Sequence, residues 1–142
     1  MEILGLDATQ RMIDQIKVDE GVSSKLYTCT AGKATIGVGR NLDDMGLSDD
    51  EIDYLLMNDL MRVEEELVRT LPVILELSEN RKMVLINMAF NLGITRLLNF
   101  KKMIEALQNE DYQEAAEQMM DSRWAEQVGK RAERLSELMV IG

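Results

Sequence analysis

Between Asp19 and Gly39 the chain reads DEGVSSKLYTCTAGKATIGVG, and this stretch decides the class of fold. Two short runs rich in Thr, Tyr, Ile and Val, Lys25 to Thr28 and Ala34 to Val38, flank Cys29-Thr-Ala-Gly32-Lys33. That order predicts a hairpin turning around Gly32. Gly37 and Gly39, in and after the second run, mark a bend where backbone or ligand approaches closely. On both sides the pattern is helical. Upstream, Asp7-Ala-Thr-Gln10 predicts a cap, and Met12, Ile13, Ile16 and Val18 predict an apolar stripe, for a helix over 7–20 that Gly21 ends. Downstream, Ser48-Asp-Asp-Glu51 reads as a capping box. Ile52, Leu55, Leu56, Leu60, Val63 and Leu67 then recur at helical spacing, predicting a linking helix over about 48–68.

Pro72, the only proline, ends or kinks that helix, and Ser78 caps the next. From Met83 to Leu92 eight of ten residues are apolar, broken only by Asn87 and Asn91, before Gly93 closes the run. A helix apolar nearly all round belongs at the centre of a helical lobe. Amphipathic pieces follow at about 100–108, 112–120 and 130–140. The 11 methionines, among them Met57, Met61, Met83, Met88, Met119 and Met120, are predicted to fill the core. The expected class is α+β, mostly α: an N-terminal helix, a small β lobe over about 21–47, the linking helix, and a helical C-terminal lobe over about 72–142. With 142 residues and 46% hydrophobic content, one domain is expected, divided at most into two lobes.

Composition narrows the chemistry. Lys plus Arg number 16 against 26 Asp plus Glu, a net charge of −10 that argues against nucleic acid and anionic membrane as partners. Residues 1–40 and 80–142 are each neutral, so the whole excess sits in residues 41–79. No apolar run approaches the roughly 18–20 residues of a spanning helix, and the start MEILGLDATQ lacks a secretory signal pattern. One Cys excludes an internal disulfide framework. With no His, the usual zinc ligand and histidine base are missing, and neither metal nor cofactor is expected. Catalysis, if present, falls to carboxylates, a thiol or hydroxyls.

Glu20 lies where a helix C-terminus meets a glycine, and the negative end of the helix dipole disfavours its carboxylate, as a general acid needs. Position alone favours an ordinary solvated Glu at a helix end and does not decide the matter. Cys29 reads as a small buried hydrophobe or as a nucleophile, but no His exists to deprotonate it in a papain-like pair. Gly32-Lys33-Ala34-Thr35 is not a phosphate loop, because position 27 holds no Gly and Ala follows the Lys. Asp43-Asp44-Met45-Gly46 lacks the alternating ligands of an EF-hand and reads as an acidic turn leading into the helix cap.

Taken together, Asp19-Glu20-Gly21, eight residues between Glu20 and Cys29, five between Cys29 and Thr35, then Thr35-Ile-Gly-Val-Gly39, resemble the catalytic signature of the T-even phage-type lysozymes, glycoside hydrolase family 24. Ile86-Asn-Met-Ala-Phe90-Asn-Leu-Gly93 resembles that family's central C-lobe helix, and Ser122-Arg-Trp124 a tripeptide of its C-terminal lobe. The resemblance implies hydrolysis of the β-1,4 bond between N-acetylmuramic acid and N-acetylglucosamine in peptidoglycan. Glu20 would protonate the leaving oxygen, with Cys29 and Thr35 on the opposite face of the sugar. Leu42, Phe90 and Asn91 would line the cleft, Arg131 would lie close to Glu20, and Arg40 would face Asp59. Cys29 departs from the family's commoner Asp. A thiol near its reference pKa of about 8.5 is mostly neutral at pH 7, and a thiolate attacking the sugar would change the stereochemical outcome. Arg40 stands where the family often has His.

The expected role is that of a monomeric phage or prophage endolysin. It would be held in the host cytoplasm and reach the periplasmic glycan strand through a holin-like lesion. Two other readings stand beside it: a lysozyme-like protein that binds wall glycan with impaired catalysis, and an acidic helical interaction protein built on residues 41–79.

Overall fold

The computed structural model describes residues 2–142. They form two compact units, one ending at Ile52 and one beginning at Asp53. The chain is mostly helical with a small antiparallel sheet, the class expected.

The first unit opens with α1 (Leu6–Glu20). Asp7 does not cap it. Gly5 holds the N-cap position without a side-chain bond, and Asp7 lies in the first turn, where its charge opposes the helix dipole. Gly21, at φ 77°, ends the helix by donating to the Lys17 carbonyl. The hairpin follows as β1 (Ser23–Thr28) and β2 (Ala34–Gly37), turning through Gly32 at φ 78°. A third strand, β3 (Arg40–Asn41), completes a sheet of order β1-β2-β3, with Tyr27 opposite Thr35 and Thr35 opposite Asn41. Thr35 on the central strand is buried, at 3% exposure, although it is polar. The expected acidic turn is a one-turn helix, α2 (Leu42–Met45), capped by the Asn41 side chain.

Helix α3 (Asp49–Thr70) begins on the expected capping box: the Ser48 N–H donates to Glu51 Oε1 at 3.0 Å, and the Glu51 N–H donates to Ser48 Oγ at 3.2 Å. It ends before Pro72, which occupies the start of a short 3-10 turn (Pro72–Glu76). In the second unit Ser78 caps α4 (Glu79–Leu92), and Gly93 closes it. Then come α5 (Ile94–Leu98), α6 (Lys101–Gln108), α7 (Tyr112–Met120), α8 (Arg123–Val128) and α9 (Lys130–Ile141). Val84, Leu85 and Met88 of α4 are fully buried together with Leu67, Leu97, Met103, Leu107, Met119 and Met139. Core filling therefore holds for Met88 and Met119. It fails for Met57, Met61, Met83 and Met120, which stay exposed because they fall on the outward side of their helices. Arg81 closes the end of the chain, donating to the carbonyls of Met139 and Val140 that the last turn of α9 leaves free.

Candidate active site

Glu20 is the last residue of α1 and is exposed. A Cβ built on Gly39 would lie 3.3 Å from Glu20 Oε2, and Gly39 sits at φ 69°. The bend anticipated at Gly39 is thus where backbone passes close to the carboxylate, and its positive φ favours glycine there. Gly39→Ala is expected to strain the bend, through its positive φ, and to displace the Glu20 carboxylate by a few tenths of an ångström, lowering stability and, if Glu20 acts in catalysis, turnover a few-fold. A steady-state assay beside a thermal melt checks this. Full activity in the alanine variant would mean that the approach is incidental.

Cys29 and Thr35 meet at one atom. The Lys33 carbonyl accepts the Cys29 N–H at 2.9 Å and the Thr35 hydroxyl at 2.9 Å. The Gly32 N–H in turn donates to the Cys29 carbonyl at 2.9 Å, closing the hairpin turn. Cys29 is half-buried and free. Hydrogen bonding from the backbone of Lys33 first, then of Ala31, and then from the Thr35 side chain holds its thiol below the ordinary value. The thiolate is therefore more accessible than the reference value implied.

Arg40 and Asp59 each have a partner within their own unit. Arg40 Nη1 bonds Glu51 Oε1 at 2.9 Å and the Gly46 carbonyl at 3.1 Å, while Asp59 accepts from Arg62 one turn along α3. The Ser48 capping box turns the Glu51 carboxylate toward the N-terminal end of α3, where Arg40 meets it. The Glu51 carboxyl is held at about 2, by the Arg40 hydrogen bond first and by the Ser48 backbone and hydroxyl next. A carboxyl lowered on folding stabilises the protein above its unfolded value and loses that contribution as pH falls through its folded one. The window here runs from about 4.5 down to about 2. Both side chains are over a third exposed, so the contribution is small. The melting temperature of Glu51→Gln is expected to lie a few degrees at most below wild type at pH 7, with the gap closing toward pH 2. A gap unchanged across that range would sink this account.

In the second unit, half-exposed Phe90 on α4 borders a hollow of about 300 Å³ that Asp59 and Arg62 of α3 also line. Asn91 Oδ1 accepts from Trp124 Nε1 at 2.8 Å, and Trp124 packs edge-on against Phe100 at 6.3 Å. Arg131 Nε donates to Asn87 Oδ1 at 2.9 Å. Asn87 is a residue the sequence reading passed over; its signal was its break in an otherwise apolar run. Leu42 is half-buried at the start of α2. Among the described residues no three His, Cys, Asp or Glu side chains converge as metal ligands, and no helix is long and apolar enough to cross a membrane.

A small sheet that holds a Cys and a buried Thr on one carbonyl, after a helix ending in Glu, and a mostly helical chain define the lysozyme-like class. The phage lysozyme family profile matches residues 17–138, and the chain belongs to that family. It is similar to probable T4-type lysozymes 1 and 2 of Dictyostelium discoideum, at 27% and 29% identity, each covering 91% of this chain and 93% of the relative. It is also similar to the pre-baseplate central spike protein Gp5 of Enterobacteria phage T4, 25% identical over 92% of this chain and 28% of that protein.

Proposed function

We propose that this protein is a muramidase that hydrolyses the β-1,4 bond between N-acetylmuramic acid and N-acetylglucosamine in peptidoglycan. The observation that carries this reading is the junction of Cys29 and Thr35 on the Lys33 carbonyl, within the same unit as a Glu20 carboxylate placed by Gly39. Glu20 is the general acid for the leaving oxygen. The Thr35 hydroxyl lies 2.9 Å from the Lys33 carbonyl, and its lone pairs can accept a hydrogen bond from the attacking water. Cys29, its thiol held below the ordinary value by the backbone of Lys33 and Ala31, stands beside Thr35 on the face opposite the acid. Phe90 and Asn91 contact the glycan, and Arg131, Arg40 and Asp59 are supporting residues. The two units are the lobes of one lysozyme-like domain acting as a monomer. The biological role is host lysis by an endolysin that waits in the cytoplasm for a holin-like lesion.

The test is incubation with permeabilised Gram-negative cells and isolated sacculi, reading turbidity and reducing ends. Clearing with release supports the reading, and NMR of the fresh product tells inversion from retention. A second reading, wall binding without hydrolysis, draws on Cys29 in the position of the family's commoner Asp; sedimentation with sacculi and no release would favour it.

A further inference from the structure

Asp43 and Asp44 take no part in the chemistry above, yet both are tied to the hairpin that carries it. Asp43 Oδ2 accepts the backbone N–H of Ala34 at 2.7 Å. Asp44 pairs with Lys33 Nζ at 3.3 Å and accepts Asn41 Nδ2 at 2.9 Å, while the Asp44 N–H donates to Asn41 Oδ1 at 3.1 Å. The one-turn helix α2 thus presents the two carboxylates to the start of β2.

The N–H held by Asp43 belongs to the Lys33–Ala34 peptide group. The carbonyl of that same group is the acceptor shared by the Cys29 N–H and the Thr35 hydroxyl. A peptide group is planar, so fixing the direction of its N–H fixes the direction of its carbonyl. A charged acceptor on the N–H also polarises the group and strengthens what its carbonyl receives. We propose that Asp43 is a positioning residue: through the Lys33–Ala34 peptide group it sets the orientation of the Thr35 hydroxyl and the geometry of the turn that holds Cys29. The foremost group holding the Cys29 thiol down is the Lys33 N–H, in the adjoining Gly32–Lys33 peptide group, so a shift in the geometry of the turn reaches the thiol as well. The catalytic consequence rests on the muramidase reading; the geometric one does not.

The test compares Asp43→Ala with Asp43→Asn in two readouts: steady-state hydrolysis of sacculi, and the pH profile of iodoacetamide alkylation of Cys29, the chain's only thiol. Both variants remove a negative charge, which alone eases ionisation of the thiol. Only asparagine keeps an acceptor for the Ala34 N–H, so the difference between the two isolates the hydrogen bond. Alanine is expected to lower kcat about tenfold with KM within about twofold, and to move the alkylation profile to higher pH than in the asparagine variant. Asparagine is expected to recover most of kcat. Coincident alkylation profiles for the two variants would overturn the proposal, whatever their activity. If the alanine variant does not fold, Asp43→Glu, which keeps the charge but moves the oxygen by one methylene, carries the same expectation of lost kcat and a raised profile. If the wild type releases nothing from sacculi, the muramidase reading fails, and the alkylation comparison still decides the role of Asp43.

Discussion

Glu20→Gln is expected to lower the release of reducing ends from peptidoglycan by about 10²–10⁴-fold, the usual contribution of a positioned general acid. The amide matches the carboxyl in shape and still donates a hydrogen bond, but it cannot hand a proton to the leaving oxygen. Glu20 is exposed and forms no ion pair among the described residues, so the variant should melt within about 0.5 kcal/mol of wild type. Activity and stability are thereby separated. Glu20→Asp is a sharper control: it restores an acid one methylene short of the position Gly39 leaves open for Oε2, and should recover only part of the rate. Sedimentation with sacculi should be retained in both variants, since the acid contributes to the transition state more than to ground-state binding. Equal clearing by wild type and Glu20→Gln would remove Glu20 from the mechanism.

What could be read from the sequence was what local rules govern. The Ser48 to Glu51 capping box formed as written, Gly32 turned the hairpin, and the apolar run around Leu85 became the centre of the helical core. The elements that escaped were too short to show a period: β3 has two residues, α5 five and α8 six. The partnerships that escaped depend on which carboxylate a folded turn delivers. Arg40 and Glu51 stand eleven positions apart, and nothing in that spacing marks them as partners. Asp43 read only as part of an acidic turn, because the acceptor role of its carboxylate exists only once β2 brings the Ala34 N–H to it. The thiol of Cys29 is likewise set by the backbone of Lys33 and Ala31, whose direction no residue identity encodes.

Trp124→Ala is expected to destabilise the second unit by about 3–5 kcal/mol, the range for deleting a large aromatic from a packed core. Trp124 is 3% exposed, and its ring meets Phe100 edge-on with planes at 80°. Urea unfolding should show a lower midpoint with an unchanged slope, and a loss under about 1 kcal/mol would mean the ring is not part of the core. Trp124→Phe separates packing from polarity. Indole Nε1 is only a donor, so its bond at 2.8 Å obliges Asn91 to turn Oδ1 inward and leaves the amide hydrogens of Nδ2 facing outward. Phenylalanine fills most of the space but frees that amide to flip. Asn91 is exposed, so water replaces the lost donor and stability falls little. If Asn91 binds the glycan by donating to it, the flip removes half the productive orientations, and KM should rise several-fold while kcat holds. An unchanged KM in Trp124→Phe, with the unit still folded, would leave Asn91 as a partner of the core alone.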